Sequence, residues 1–390
     1  SPVDALYYPS VGEGGQVAFG CRQDAGSDPD ECMWVDGSVV WTSWISGLSA
    51  ESIENWSGTN ADGSDFITSL VLAPDGLDSV ITSAGVLLAE EDQVPGLPGL
   101  YITFASRPLM TAAGVAYWVS GYSDTQGGTS QMRALFRAAD ATTPVIERVI
   151  GSGDLIGGLT VDTSFNFNYY VSDNDLHRIQ VIDTTEDSAV DMIVAVDDAV
   201  VLREGDPVDG FESWDNFDNV QVNNSGHWIV SGDTDGDIAG DEFLAVDGAI
   251  VAREGQTIAG VVLGSRVRLA SINDSGQIAF VWTTELGTAD EALFVATNPT
   301  DVSNACLLAR TGDGVDLDGD GFADGTIVDL DTSLGGAQTL QLQEDGHIYL
   351  RSIIERPTTT LDAVIGVPCP CLFLDGFECG FTTAWSTSTE

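Results

Sequence analysis

The chain has no lysine: all 13 of its basic residues are arginines, set against 61 acidic residues, for a formal net charge of −48. A field of that sign repels phosphate backbones and anionic lipid, which argues against nucleic acid and membrane surfaces as partners and in favour of divalent cations. No stretch approaches the ~18 uninterrupted apolar residues of a membrane-spanning helix. Helix signals are almost missing too, the short run 130–139 being the nearest to one. There is no Gly-x-Ser-x-Gly elbow and no cysteine paired with a histidine, so the usual signatures of nucleophilic catalysis are absent. The glycines at 151–153 and 157–158 lack the lysine and helix start of a phosphate loop and read as turns. Carboxylate pairs say little, because among 61 acids some pair always falls at the ~5 to 9 Å of a glycosidase.

What is present is enough to fold. Apolar residues make up 43% of 390 positions and aromatics 8%, ample for a core and too much for a disordered chain. The six cysteines are Cys21, Cys32, Cys306, Cys369, Cys371 and Cys379. An even number, with one pair flanking a Gly/Asp/Pro-rich loop and three crowding a tail, suits disulfide staples in an oxidising compartment. Zinc is disfavoured, since the spacings are not zinc-like and the three histidines lie far off. Connectivity stays open, with Cys21 to Cys32 and Cys306 to the tail group as the preferred pairings. The chain opens Ser1-Pro2-Val3 without methionine, and a secreted, extracellular or cell-surface protein whose signal peptide has been removed is expected.

Self-similarity is the strongest signal. Residues 270–282 form a strand, a tight Asn-Asp-Ser-Gly turn and a second strand, followed by Ala292 to Ala296 and by an apolar run closing on Arg310. The same order appears in Val222 to Val230 followed by Phe243 to Gly255, and again around Met192 to Gly205. Weaker copies lie at 14–41, 72–90, 113–118 and 344–350. Each unit holds two hairpins whose Asp-Gly-type turns favour positive φ. About seven units of four short strands are the arithmetic of an all-β, propeller-like fold, with a β-sandwich as the alternative. The expected organisation is a repeat domain over 1–367, loose in 1–160 and clear in 161–312, with a calcium-loop insertion at 313–331, a last repeat at 332–367, and a Cys-rich tail at 368–390.

The unit, Asn-Asp-x-Gly-x-Val-Ala-Phe, then Ala-Leu-Phe-Val, then Val-Ala-Arg-Glu-Gly-Asp, resembles that of secreted bacterial repeat proteins with propeller-like units, matched best over residues 220–312. The tail from Leu372 to Phe381 and on to Trp385 resembles a short C-terminal motif, Phe-x-Asp-Gly-Phe-Glu-x-Gly, of secreted proteobacterial proteins. These resemblances imply location and architecture, and bring no reaction with them.

The sharpest local motif is Asp316-Leu317-Asp318-Gly319-Asp320-Gly321-Phe322-Ala323-Asp324. Alternate carboxylates, a turning glycine and the Phe322 carbonyl are oxygen ligands for calcium, and the loop resembles EF-hand and dockerin-like loops. Ile327 stands where the bidentate Glu belongs, so Asp329 or Asp331 would substitute. A second run, Asp233, Asp235, Asp237 and Asp241, alternates without proper ligand order. His227 and His347 follow a turn glycine, where sister units hold Gln16 and Gln277, and His177 falls at or near the same place. That recurrence reads as structural. Trp44 and Trp56, in a Ser/Gly/Asn-rich segment, are candidates for stacking on sugars. Asn55, Asn223 and Asn273 open glycosylation sequons.

Taken together these features lead to an expectation of a non-catalytic, calcium-stabilised subunit of an extracellular filament or surface layer, its partner being itself. A secreted carbohydrate- or protein-binding propeller is the first alternative, and a propeller glycoside hydrolase or lyase the second.

Overall fold

A computed structural model describes residues 3–6, 10–11, 16–23, 30–35, 38–42, 50–72, 75–140, 145–163, 167–208, 210–317, 322–330, 340–357 and 359–368. The chain forms a seven-bladed β-propeller of small antiparallel sheets. Blade one contains Val3–Leu6 and Ser10–Val11, both beside Val17–Gln23, then Asp30–Val35 and Ser38–Thr42. Blades two to five are four-stranded meanders opening with Ala50–Thr59, Tyr101–Met110, Phe167–Val171 and Trp214–Val222. Blade six opens with Val261–Ile272, which also carries the two-residue strand Thr257–Ile258. In blade seven the middle strand His347–Glu355 pairs on one side with Gly325–Asp329 and Gln341–Leu342, and on the other with Thr360–Pro368. Among the described residues no helix is long and apolar enough to cross a membrane. The run 130–139 is not helical: Met132–Ala138 is the third strand of blade three, paired with Ala116–Ser123.

The period-two geometry of a strand explains why a strand packed against a neighbouring blade on each face is buried along its length, as the second strand of blade six is. In Ile278–Thr284 every residue is buried. Ile278, Phe280 and Trp282 pack with blade five, while Ala279 and Val281 pack with blade seven. Among the described residues the core divides into seven clusters, one at each seam between neighbouring blades. The ring closes by packing: Val364 of blade seven lies against Phe19, Cys21 and Cys32 of blade one. Cys21 and Cys32 face each other in the ladder and form a disulfide. Cys306 begins the last strand of blade six, and Cys369, Cys371 and Cys379 lie outside the described residues.

Candidate functional site

The turns between first and second strands of blades four to seven converge at one end of the propeller axis. Each is closed the same way, with the N–H groups of Ser172, Asn223, Asn273 and Gln343 donating to the carbonyls of His177, His227, Gln277 and His347 at 2.8–3.1 Å. Gly226, Gly276 and Gly346 turn the chain at φ of 82°, 77° and 82°, a region where a side chain is strained. Neighbouring turns are stitched together. Asn174 donates to Asn224 Oδ1 (2.7 Å) and carbonyl (3.0 Å), and the Asn224 N–H and Nδ2 donate to the Asp274 carboxylate at 2.6 Å. The Asp274 N–H and the Ser275 hydroxyl in turn donate to Glu344. Tyr170, Gln221, Ile272 and Gln341, one from each blade, line a cavity of about 40 Å³ beneath these turns. Burial holds the Tyr170 phenol well above its ordinary value, as a neutral group.

Those turns also contain two of the sequons. The Asn223 and Asn273 side chains are each 4% exposed. Asn223 Nδ2 donates to the Asn273 carbonyl at 2.8 Å, and Asn273 Nδ2 to Gln277 Oε1 at 2.7 Å. In the folded chain these nitrogens hold turns, and a glycan on either would have to replace a buried hydrogen bond. Asn55 and Trp56 belong to the strand Ala50–Thr59, not to an irregular segment, at a register shift between Ile53 and Ser57. Trp44 lies outside the described residues.

The histidines form clips. Asp197 accepts the Arg178 N–H (2.9 Å) and holds His177 Nδ1 at 2.8 Å. Asp247 repeats this one blade on, accepting the Trp228 N–H (3.0 Å) and holding His227 Nδ1 at 2.7 Å. Both aspartates adopt positive φ, 49° and 48°, in two-residue turns between third and fourth strands. His347 Nδ1 lies 2.9 Å from Asp345 within its own turn.

The two candidate metal loops fare differently. The first is a hairpin in which Gly314–Val315 pairs with Gly325–Thr326. Asp316 is 4% exposed, and Asp324 Oδ2 accepts the Leu317 N–H at 2.8 Å, drawing the ends of the loop together. Asp318 and Asp320 lie outside the described residues, as does Asp331. Phe322 is 76% exposed. Asp329 ends the strand Gly325–Asp329, and its carbonyl accepts the Ser352 hydroxyl at 2.7 Å. In the second run Asp235 accepts the Ser213 N–H (2.6 Å), tying its loop to the segment ahead of the innermost strand, and Asp237 accepts the Ala239 N–H (3.3 Å), capping a turn. Asp241 gives its carbonyl to the Thr234 N–H (3.0 Å).

Asp233 does not join those neighbours in sequence. It lies opposite Glu242 in the ladder, and its carboxylate gathers with those of Glu242 and Asp218 within 4.8 Å. Asp218 arrives through the bulge between Phe217 and Val220 on the innermost strand, which no sequence spacing reveals. Burial, with Asp233 and Asp218 alongside, pushes Glu242 up to about 9, and burial beside Asp233 also raises Asp218. Glu242 is therefore protonated at neutral pH, sharing a hydrogen bond with Asp233 while its Oε1 accepts the Val267 N–H of blade six at 2.6 Å. Equivalent side chains span the adjoining seams: the Phe217 N–H donates to Met192 Sδ (3.3 Å), and the Leu330 N–H to Glu291 (2.8 Å). The signal in sequence was the glutamate ahead of Phe-Leu-Ala and Ala-Leu-Phe in successive repeats. These carboxyls are seam latches.

No family model and no curated protein matches the chain. Among solved structures it is similar to the β-propeller domain of the Trilobed protease from Pyrococcus furiosus, at 11% identity and a TM-score of 0.48, covering 94% of this chain and 96% of that one. Prolyl oligopeptidase B from Galerina marginata is similar at 10% identity and 0.46, over 91% of this chain and 47% of that one, so this chain spans about half of that enzyme. The Dos1 propeller is similar at 10% identity and 0.43, over 95% and 91%.

Proposed function

We propose that the protein is a non-catalytic extracellular structural unit that assembles with copies of itself by strand addition at blade seven. The observation that carries this reading is the outer edge of that blade. Blades one to six end in outermost strands of five or six residues. Every one of these enters its ladder through a register shift. Short, irregular edges are how β proteins avoid sheet-to-sheet association. Thr360–Pro368, nine residues long, holds the third place in blade seven and pairs with the middle strand without a shift, as the third strands of blades two to five do, but among the described residues no fourth strand follows it. Among the described residues no strand hydrogen-bonds to its other side. An extended segment from a second copy fits that edge, and addition of this head-to-tail kind propagates as a filament. The disulfide and calcium held by Asp316, Asp318, Asp320, the Phe322 carbonyl, Asp324 and Asp329 stiffen the unit.

Sedimentation and electron microscopy of the purified chain over rising concentration test it, with filaments expected. Alternate N–H groups point to opposite sides of a strand. One proline pair, at 363 and 365 or at 364 and 366, therefore removes outward donors and abolishes assembly in a folded monomer, while the other breaks the internal ladder. A chain that stays monomeric at every concentration, with and without calcium, ends this reading.

A further inference from the structure

We propose that the groove between blades five and six, walled by His227, is a binding site for one neutral sugar ring. Comparison of two adjacent seams picks it out. At the seam of blades four and five, the His177 ring lies 3.2–3.4 Å from where a β-carbon on Gly226 would stand, closing the space between the turns. One blade on, the neighbour of the corresponding Gly276 is Pro299 Cγ at 3.7 Å, and no His227 atom comes that near. The His227 side chain is 59% exposed, against 28% for His177. The imidazole-sized plug of one seam is thus withdrawn at the next, leaving a cavity of about 280 Å³.

The far wall comes from a departure in the repeat. Blades four and five join their last two strands through two-residue turns. Blade six spends residues 297–305 on the same connection. Asn298 Oδ1 accepts the Thr300 N–H (3.1 Å) and hydroxyl (2.9 Å), and the Ala305 N–H donates to Val302 O (2.9 Å), shaping a loop that brings Pro299 and Thr300 to the groove.

The lining selects the ligand. His227 Nδ1 is committed to Asp247, so Nε2 faces outward from an oriented ring. Ser225 adds a hydroxyl, the Ser275 and Thr300 hydroxyls, whose protons go to Glu344 and Asn298, present acceptor oxygens, and Pro299 and Ile272 offer apolar surface to the C–H face of a ring. Both carboxylates of the lining are engaged, Asp247 by His227 and Trp228 and Asp274 by Asn224, so nothing fixes a cation. The net charge of −48 repels anions. A neutral polyhydroxylated ring uses every remaining group. The volume lies just below the roughly 300–1,000 Å³ of pockets that enclose drug-sized ligands, which suits a single ring.

Calorimetry and saturation-transfer NMR on the full chain, with glucose, galactose, mannose and N-acetylglucosamine as probes, test the assignment. Saturable binding of at least one is expected. His227→Gln, which installs the residue blade six carries at Gln277, should weaken it at least tenfold, and Thr300→Phe, which fills the groove from the loop, should abolish it. His177→Gln, in the sealed seam, should leave it unchanged. No binding of any probe at millimolar concentration, equal loss in His177→Gln and His227→Gln, or retention in Thr300→Phe would overturn the proposal. Assembly is read separately, so failure here leaves the blade-seven edge untouched.

Discussion

Blades four to six and the junction between blades seven and one do the same job, joining neighbours in a ring, by different means. In blades four to six the turns recur at 50-residue intervals, from His177 to His227 to Gln277. Each seam there is held by a buried cluster, by stitched turns and by a side-chain latch. The closing junction rests among the described residues on a small cluster of Phe19, Cys21 and Cys32, with Val17, Trp34, Val39 and Val364 against it, and on a disulfide inside blade one. Where sequence repeats, the same donor meets the same acceptor one blade on, and polar bonds multiply at no new cost in design. At the junction the first and last blades meet without that symmetry, and among the described residues packing joins them beside a disulfide that braces blade one.

The largest effect is expected on the regular side of the ring. Trp282 is fully buried and its Nε1–H donates to the Gly264 carbonyl at 2.7 Å. Trp282→Ala should cost about 3–5 kcal/mol in denaturant unfolding; a loss below about 1 kcal/mol would mean that blade six is not the rigid part of the ring. At the junction, replacing Cys21 and Cys32 together by alanine should cost about 2–3 kcal/mol. Hydrogen exchange should then quicken in blade one while blades four to six keep their protection.

A gain is expected at the latch. Glu242 binds its proton more tightly folded than unfolded, so its contribution is complete below about pH 4 and is lost as the pH climbs towards about 9. Glu242→Gln imitates the protonated carboxyl, keeping the bond to Val267 and donating to Asp233. It should stabilise the protein by about 1–3 kcal/mol at pH 8–9 and flatten that part of the stability profile, measured by thermal unfolding across pH. An unchanged slope would remove the shared proton from the account. The smallest effect is expected for Val364→Ala, about 1 kcal/mol, since its side chain is only half buried.

Much of this architecture was legible in the chain. The turns at 223–226 and 273–276 and the strands on either side were readable because glycine and asparagine mark positive φ, and because strands buried on both faces are apolar throughout. The first two blades were readable only in outline, their units lacking the regular turn chemistry. The candidate sites were less legible. Asp233 was grouped with Asp235, Asp237 and Asp241, its neighbours in sequence, whereas cross-strand register sets it opposite Glu242 and a bulge adds Asp218. The contrast between His177 and His227 was invisible, since both follow the same turn and differ only in what the next blade places beside them.

By itself the sequence determined the all-β class, the repeat and its turns, and the sign of the surface field, because each follows from local backbone preference or from a sum over residues. Only the tertiary structure decided which carboxyls share a proton, which seam is plugged and which is open, and which blade stops, among the described residues, at its third strand. Those depend on register, on bulges and on the partner that a neighbouring blade brings across the gap, distances that one strand cannot encode alone.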